Sequence, residues 1–322
     1  PDPVLQQVEN FNDPGITAND AFKPVTRYFD RITRPEQIIQ SFPNAVQTML
    51  DPADCGPACI SLSQDIQGQT FDYPAEFFQE KVHTIRRPRP DEFQIKEAAD
   101  KIKSSKNPII ISGGGVFYSD AMEELSQFAI KHNIPVTQTV MGYSTMKRDH
   151  SHFSGQIGGL GGKNTNTLAK ETDLAIAVGT KLADFTTGSW ANFENENFKL
   201  VSINVSRYDA NKHLAQAVVG DAKVSLTELS QALGDWKVGE DWNKKSQIEL
   251  KSWNEHIDKE SAPTNQEIPS YIQVIGAIYR NSDPTDIAVT AAGGLVGEVV
   301  QVWRPKELNT HETEWGFSCM SY

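Results

Sequence analysis

The feature that most constrains this chain is the alternation of short apolar runs with helical patterns between residues 91 and 233. Unbroken apolar runs are typical of strands in a parallel sheet whose two faces are both covered by helices. Five such runs are present: Ile109–Ile111, Ile134–Val136, Leu174–Val178, Leu200–Val205 and Ala217–Val219. Helical spacing lies between them and follows the last of them, where a helix is expected to start at Asp221. The pattern predicts an α/β fold with a doubly wound parallel sheet.

Changes in composition along the chain predict its domain organisation. An amphipathic stretch surrounded by turn signals precedes a Pro-, Arg- and aromatic-rich stretch without a clear period, and a second polar stretch follows the sheet region. A new α/β unit begins near Ile268. We therefore predict a partial domain at 1–70, a linker at 71–90, a central domain at 91–233, a second linker at 234–267 and another partial domain at 268–322.

Charge and cysteine content limit the expected partners and compartment. The formal net charge of −12 argues against nucleic acid, because phosphate binding requires a basic surface. The arginine-rich tract at 86–90 fits an extended linker better than a recognition motif. Three cysteines, Cys55, Cys59 and Cys319, cannot form a disulfide framework, so we expect a reducing, cytoplasmic setting. No apolar run approaches the roughly 18 residues needed to span a bilayer, and no membrane association is predicted.

Two glycine clusters could hold a phosphate. Gly113-Gly114-Gly115 follows a strand, as in a dinucleotide fingerprint, but Tyr118 replaces the third glycine of that fingerprint. The second cluster, at 155–162, could expose N–H groups to a phosphate or allow close backbone packing. A structural role is favoured for both clusters. A nucleotide-binding module without catalysis is the alternative function of another class.

Two further patterns are candidates for ligand contacts. His150 and His152, with Asp149, lack a partner cluster at metal-ligand spacing, so an exposed loop is favoured over a metal site. The sequence from Ala291 to Leu295, with two glycines, lies between a predicted strand and a predicted helix. Ligands of α/β sheets bind at the carboxyl ends of strands, and glycine admits a bulky group close to the backbone.

Longer motifs resemble the acetohydroxyacid-synthase-like family of thiamine-diphosphate-dependent enzymes. The stretches similar to the end of its pyrimidine-binding domain are 22–28 and 56–66, and those similar to its Rossmann-like central domain are 147–150, 155–162, 178–180 and 219–223. Within the family, the ring-opening hydrolases of myo-inositol catabolism are most similar, on residues 1–7, 31–37, 203–207 and 316–320. The resemblance implies partial α/β thiamine-diphosphate-binding domains on both sides of the central domain.

The resemblance implies a reaction for the complete protein. It would hydrolyse a carbon–carbon bond of a cyclic 1,2-diketone, trihydroxycyclohexane-1,2-dione, and open the ring to 5-deoxyglucuronate. Thiamine diphosphate would perform the chemistry, and Mg²⁺ would bridge its diphosphate to the protein. In this family the cofactor lies between two subunits, which implies a homodimer or homotetramer. A carboligase similar to acetohydroxyacid synthase or glyoxylate carboligase is the nearest alternative activity.

The resemblance also implies which residues of this chain contact the cofactor: Gly293, Gly294, Leu295, Gly316, Ser318, Cys319 and Met320. The first three match a turn that approaches the cofactor, and Met320 matches the bulky apolar residue beneath it. Ser321 departs from the family pattern, which has glycine at that position.

No catalytic or metal-binding residue is expected within the 322 residues. The sequence begins with Pro1 rather than Met and stops at Tyr322 within an apparent element, so we expect both ends to be cuts. The family's catalytic glutamate would precede Pro1, and its metal-binding motif would follow Tyr322. The segment alone is therefore expected to be inactive.

Overall fold

A computed structural model describes residues 12–13, 15–314 and 319. Backbone contacts divide the chain into two units, one ending at Arg86 and the other beginning at Arg87. The finer division into five segments stays a prediction. No helix within the described residues is both long enough and apolar enough to cross a membrane.

The first unit contains two parallel strands connected by a helix. Its elements are β1 (Tyr28–Ile32), α1 (Ile38–Met49), β2 (Ala58–Leu62) and α2 (Gln64–Gln67), with 3-10 helices at Ala18–Val25, Pro35–Gln37 and Ala75–Phe78. Tyr28 is paired with Ala58, and the register continues to the end of both strands. Asp30 of β1 fixes the start of the connecting helix, because its carboxylate accepts hydrogen bonds from Ser41 Oγ and, at 3.0 Å, from Gln37 Nε2.

The second unit is built on a six-stranded, fully parallel sheet. Its strands are β3 (Pro108–Ser112), β4 (Val136–Gln138), β5 (Phe153–Gln156), β6 (Leu174–Val178), β7 (Lys199–Asn204) and β8 (Gln216–Val219). Their spatial order is β5-β4-β3-β6-β7-β8. Counted from the first strand, this is 3-2-1-4-5-6, the order of the Rossmann-like doubly wound fold. The predicted fold class is confirmed.

Helices cover both faces of this sheet. As a result, the central strands β3 and β6 are buried at every position. The helices are α3 (Glu92–Lys103), α4 (Gly115–Tyr118), α5 (Met122–His132), α6 (Lys163–Glu171), α7 (Asp184–Thr187), α8 (Arg207–Ala210) and α9 (Ala222–Leu233). The predicted start at Asp221 is confirmed: its side chain caps α9 by accepting hydrogen bonds from the N–H groups of Lys223 and Val224.

The arginines that open the second unit make contacts within it. Arg87 donates to the carbonyl of Ser119 and lies 3.1 Å from the carboxylate of Asp221, and Arg89 pairs with Glu228. The main chain also participates, since the Asp221 N–H donates to the carbonyl of Pro88 at 2.8 Å. These contacts tie the end of the predicted linker to α9 and to the residue Ser119 before α5.

Part of the predicted second linker is a 21-residue helix, α10 (Glu240–Glu260). The indole N–H of Trp242 donates to the Pro108 carbonyl at 2.8 Å, and Leu250 is buried in the same core as the sheet. The helix is therefore packed against the sheet. The sequence did not indicate this packing, because only a narrow stripe of the helix is buried. The buried side chains are Trp242, Ser246, Leu250 and Ile257.

A small α/β element completes the described chain. It comprises α11 (Tyr271–Arg280), β9 (Ala288–Thr290), α12 (Val296–Val302) and β10 (His311–Thr313). The two strands are parallel, with His311 paired to Ala288 and Thr313 to Thr290. A second apolar cluster joins this element to the central domain through Tyr143.

Candidate cofactor site

The predicted glycine turn connects β9 to α12 at the carboxyl end of β9. Gly293, Gly294 and Leu295 are exposed, and Gly293 has a φ of +154°, which favours glycine. A Cβ added to either glycine would have no atom of the described residues within 4 Å. Packing inside the described chain therefore does not require glycine at these positions, and the turn leaves room for a ligand.

Cys319 lies beside this turn. Its carbonyl accepts a hydrogen bond from the Ala292 N–H at 2.9 Å, and its own N–H donates to the Glu314 carboxylate at 2.8 Å. Because β9 and β10 are parallel, both chain segments leave the same edge of the small sheet. The structure thus brings Cys319 and the glycine turn together, while their role in cofactor binding stays a prediction.

Three of the predicted contact residues, Gly316, Ser318 and Met320, lie outside the described residues, as does Ser321. The described part of the chain has no group of three or more His, Cys, Asp or Glu side chains able to hold a metal ion.

The first glycine cluster packs backbone against backbone. The N–H of Gly113 donates to Val178 and that of Gly115 donates to Gly179, both at 2.9 Å. A Cβ on Gly115 would lie 2.6 Å from the Cα of Gly179. These glycines allow the strand ends to approach closely at the switch point of the sheet, and the two N–H groups are already bonded. This arrangement supports the structural role.

The second cluster, at 155–162, is also occupied by internal contacts. The N–H of Gly158 donates to Asn166 Oδ1 at 3.0 Å, and that of Gly159 donates to the Phe185 carbonyl at 2.6 Å. The N–H of Gly161 donates to the Gly158 carbonyl at 2.9 Å. With these donors used, the loop supports close backbone packing rather than phosphate binding.

The histidine pair makes internal polar contacts, and its loop is less exposed than predicted. His152 is 7% exposed, and its Nε2 lies 3.0 Å from Asn133 Oδ1. His150 Nε2 lies 2.9 Å from Ser126 Oγ. Burial, with a smaller contribution from His150, lowers the pKa of His152 to about 4. Both side chains therefore serve the packing of α5 against the loop before β5.

Sequence reasoning did not identify the side chains that connect the small α/β element to the rest of the second unit. Tyr143 is 1% exposed, and its ring lies 4.6 Å from the ring of His311. Gln301, on α12, bonds to both Leu160 and Trp253. These residues are more than 100 positions from at least one partner, so no local pattern connects them.

A groove of about 320 Å³ lies between α6 and α10. Its walls carry charges of both signs, from Lys163 and Glu249. It is not lined by the glycine turn, so it is separate from the candidate cofactor site.

The part of the chain that forms the large sheet matches a known protein family. Residues 95–229 match the thiamine pyrophosphate enzyme central domain. This range runs from α3 to α9 and therefore contains all six strands of the doubly wound sheet.

Curated relatives resemble the chain along its whole length. It is 38% identical over 345 aligned positions to the 3D-(3,5/4)-trihydroxycyclohexane-1,2-dione hydrolase of Clostridium perfringens strain 13. Proteins with the same name are 39% identical in Clostridium botulinum strain Alaska E43 and 40% identical in Bacillus licheniformis. Each match covers all of this chain and 54% of the relative, so the chain spans about half the length of these relatives. Residues 95–229 are therefore similar to the central domain of thiamine pyrophosphate enzymes, and the whole chain is similar to about half the length of these relatives.

Proposed function

We propose that the complete protein uses thiamine diphosphate to hydrolyse a carbon–carbon bond of trihydroxycyclohexane-1,2-dione, opening the ring to 5-deoxyglucuronate in myo-inositol degradation. The observation that carries this proposal is the 38–40% identity to relatives named for that diketone, which extends over all of this chain.

The glycine turn fits the cofactor. It lies exposed at the carboxyl edge of parallel strands, where α/β proteins bind ligands. A Cβ at Gly293 or Gly294 would project into space that the described residues leave open. When bound, thiamine diphosphate supplies the nucleophilic carbon and delocalises the charge released by bond cleavage.

This chain's own contribution is to bind and orient that group. Gly293 and Gly294 would let it approach the main chain, and Leu295, whose side chain is 45% exposed, offers an apolar surface beside them. The Ala292–Cys319 hydrogen bond keeps Cys319 next to the turn. Gly316, Ser318 and Met320 complete the proposed contact set.

The proposal includes Mg²⁺ as the ion that links the diphosphate to the protein, and a homodimer or homotetramer as the active assembly. It also includes a cytoplasmic location, which is supported by free cysteines at positions 55, 59 and 319.

The test is an assay of the complete protein after removal of bound cofactor and metal. We expect diketone hydrolysis to return only when thiamine diphosphate and Mg²⁺ are both added, as measured by formation of 5-deoxyglucuronate. The control reactions contain pyruvate or glyoxylate in place of the diketone. Condensation of either acid without diketone hydrolysis, particularly by a yellow, flavin-containing protein, would instead identify a carboligase.

A further inference from the structure

The central domain holds the far end of α12, the helix that directly follows the glycine turn. The buried hydroxyl of Tyr143 donates to the main-chain carbonyl of Trp303 and lies 3.2 Å from that of Val300. Carbonyls in the last turn of a helix have no partner within the helix, so Tyr143 supplies a donor that the helix backbone lacks. Burial raises the pKa of Tyr143 to about 12, which keeps the hydroxyl protonated at physiological pH.

Gln301 anchors the same helix at a second point. Its Nε2 donates to the Leu160 carbonyl at 2.5 Å, and its Oε1 accepts from the Trp253 indole N–H at 2.8 Å. Leu160 belongs to the glycine-rich loop at 155–162, and Trp253 belongs to α10. Because both ends of the amide are bonded, its orientation is fixed.

The position of the turn depends on this helix. With seven residues, α12 is only about 10 Å long, so contacts at its second half also fix its first turn. Leu295 is its N-cap, and the Leu295 carbonyl accepts from the Val299 N–H at 3.0 Å. Gly293 and Gly294 lie immediately before it and are exposed, so the turn has little lateral support of its own.

We propose that Tyr143 and Gln301 are positioning residues for the cofactor, which fix α12 on the central domain and thereby place the Gly293–Leu295 turn for a diphosphate-bearing ligand. This inference rests on the proposed function. In this proposal the loop at 155–162 binds α12 through the Leu160 carbonyl.

The experiment uses the complete protein and the variants Tyr143→Phe, Gln301→Glu and the double variant. Phe keeps the ring and removes the donor, whereas Glu keeps the acceptor for Trp253 and removes the donor to Leu160. The dissociation constant of thiamine diphosphate is measured by titrating the metal-loaded apoprotein, well below its unfolding midpoint. Hydrogen exchange of the 291–302 peptide in the apoprotein supplies a readout that is independent of activity.

We expect each single variant to raise the dissociation constant about tenfold, equivalent to about 1.4 kcal/mol. The two effects should be less than additive because both act through α12, and exchange of the 291–302 peptide should accelerate. Glu307→Gln is the matched control, since it breaks the exposed Lys147–Glu307 ion pair between the same two regions. It should change the dissociation constant by less than about twofold.

Two results would overturn parts of this account separately. If the wild-type protein binds thiamine diphosphate and the variants bind it equally well, even with lower unfolding midpoints, Tyr143 and Gln301 are only structural and the inference is wrong. If the wild-type complete protein has no affinity for thiamine diphosphate in the presence of Mg²⁺, the proposed function itself is wrong.

Discussion

The hydroxyl oxygens of Ser154 and Ser246 lie 2.5 Å apart and join the edge strand β5 to helix α10. Both side chains are completely buried. Leaving a buried hydroxyl without a partner costs free energy, because water cannot replace the missing hydrogen bond. This pair therefore ties a segment that is polar along most of its length to the sheet.

Replacing Ser246 by alanine should destabilise the protein. Ser154 would lose its 2.5 Å partner and keep only a 3.5 Å contact to the His152 carbonyl. We expect the free energy of unfolding to fall by about 1–2 kcal/mol, measured by urea denaturation. Ser252→Ala on the exposed face of the same helix is the control and should change it by less than about 0.5 kcal/mol. Equal effects of the two substitutions would contradict the importance of the buried pair.

Gly115→Ala should destabilise the central domain through overpacking. The new Cβ would lie 2.6 Å from the Gly179 Cα and 2.9 Å from the Gly179 carbonyl oxygen, and neither backbone atom can rotate away. We expect a loss of about 1–3 kcal/mol in thermal unfolding experiments. Gly239→Ala, where a Cβ has no described atom within 4 Å, serves as the control. A stable Gly115 variant would mean that the strand ends can separate without cost.

Gly294→Ala separates a cofactor role from a folding role. No described atom lies within 4 Å of the new Cβ, so the unfolding midpoint should stay the same or rise slightly. If the turn contacts the cofactor, the same Cβ should occupy space that the cofactor needs and raise the dissociation constant of thiamine diphosphate about tenfold. Titration of the complete apoprotein measures this constant. Unchanged binding would remove Gly294 from the predicted contact set.

Acidification should destabilise the protein through its buried histidines. Burial lowers the pKa of His152 and of His311 from 6.5 to about 4. Between these values the unfolded chain binds protons that the folded chain excludes, so stability is present above pH 6.5 and decreases as the pH falls toward 4. Each histidine should account for about 2 kcal/mol of this loss by about pH 4.5.

The variant His152→Gln tests this assignment. Glutamine keeps a polar group near Asn133 but does not titrate in this range. Urea denaturation at several pH values should therefore give a shallower decrease in the free energy of unfolding for the variant than for the wild type. Parallel curves would show that His152 is not responsible for the acid sensitivity.

Four of the six strands of the large sheet follow closely from local sequence, because each is an apolar run long enough for a buried strand. The predicted run Ile134–Val136 is displaced, since β4 begins only at Val136. The run Phe153–Gln156 has one large apolar residue and was not predicted as a strand, yet it is β5 and is fully buried. Some of its polar groups have partners outside the strand; the amide of Asn164, for example, donates to the Ser154 carbonyl at 2.9 Å.

The sequence by itself determined the doubly wound sheet, the start of α9 and the position of the glycine turn after β9, because strand and helix periodicities and capping are local properties. Only the tertiary structure decided that α10 packs on the sheet, that the glycines at 113–115 and 155–162 serve backbone packing, and that Tyr143 and Gln301 support α12. The physical reason is that these features depend on pairing polar groups far apart in sequence. Whether an N–H or hydroxyl is free for a ligand is known only once its partner has been located in space.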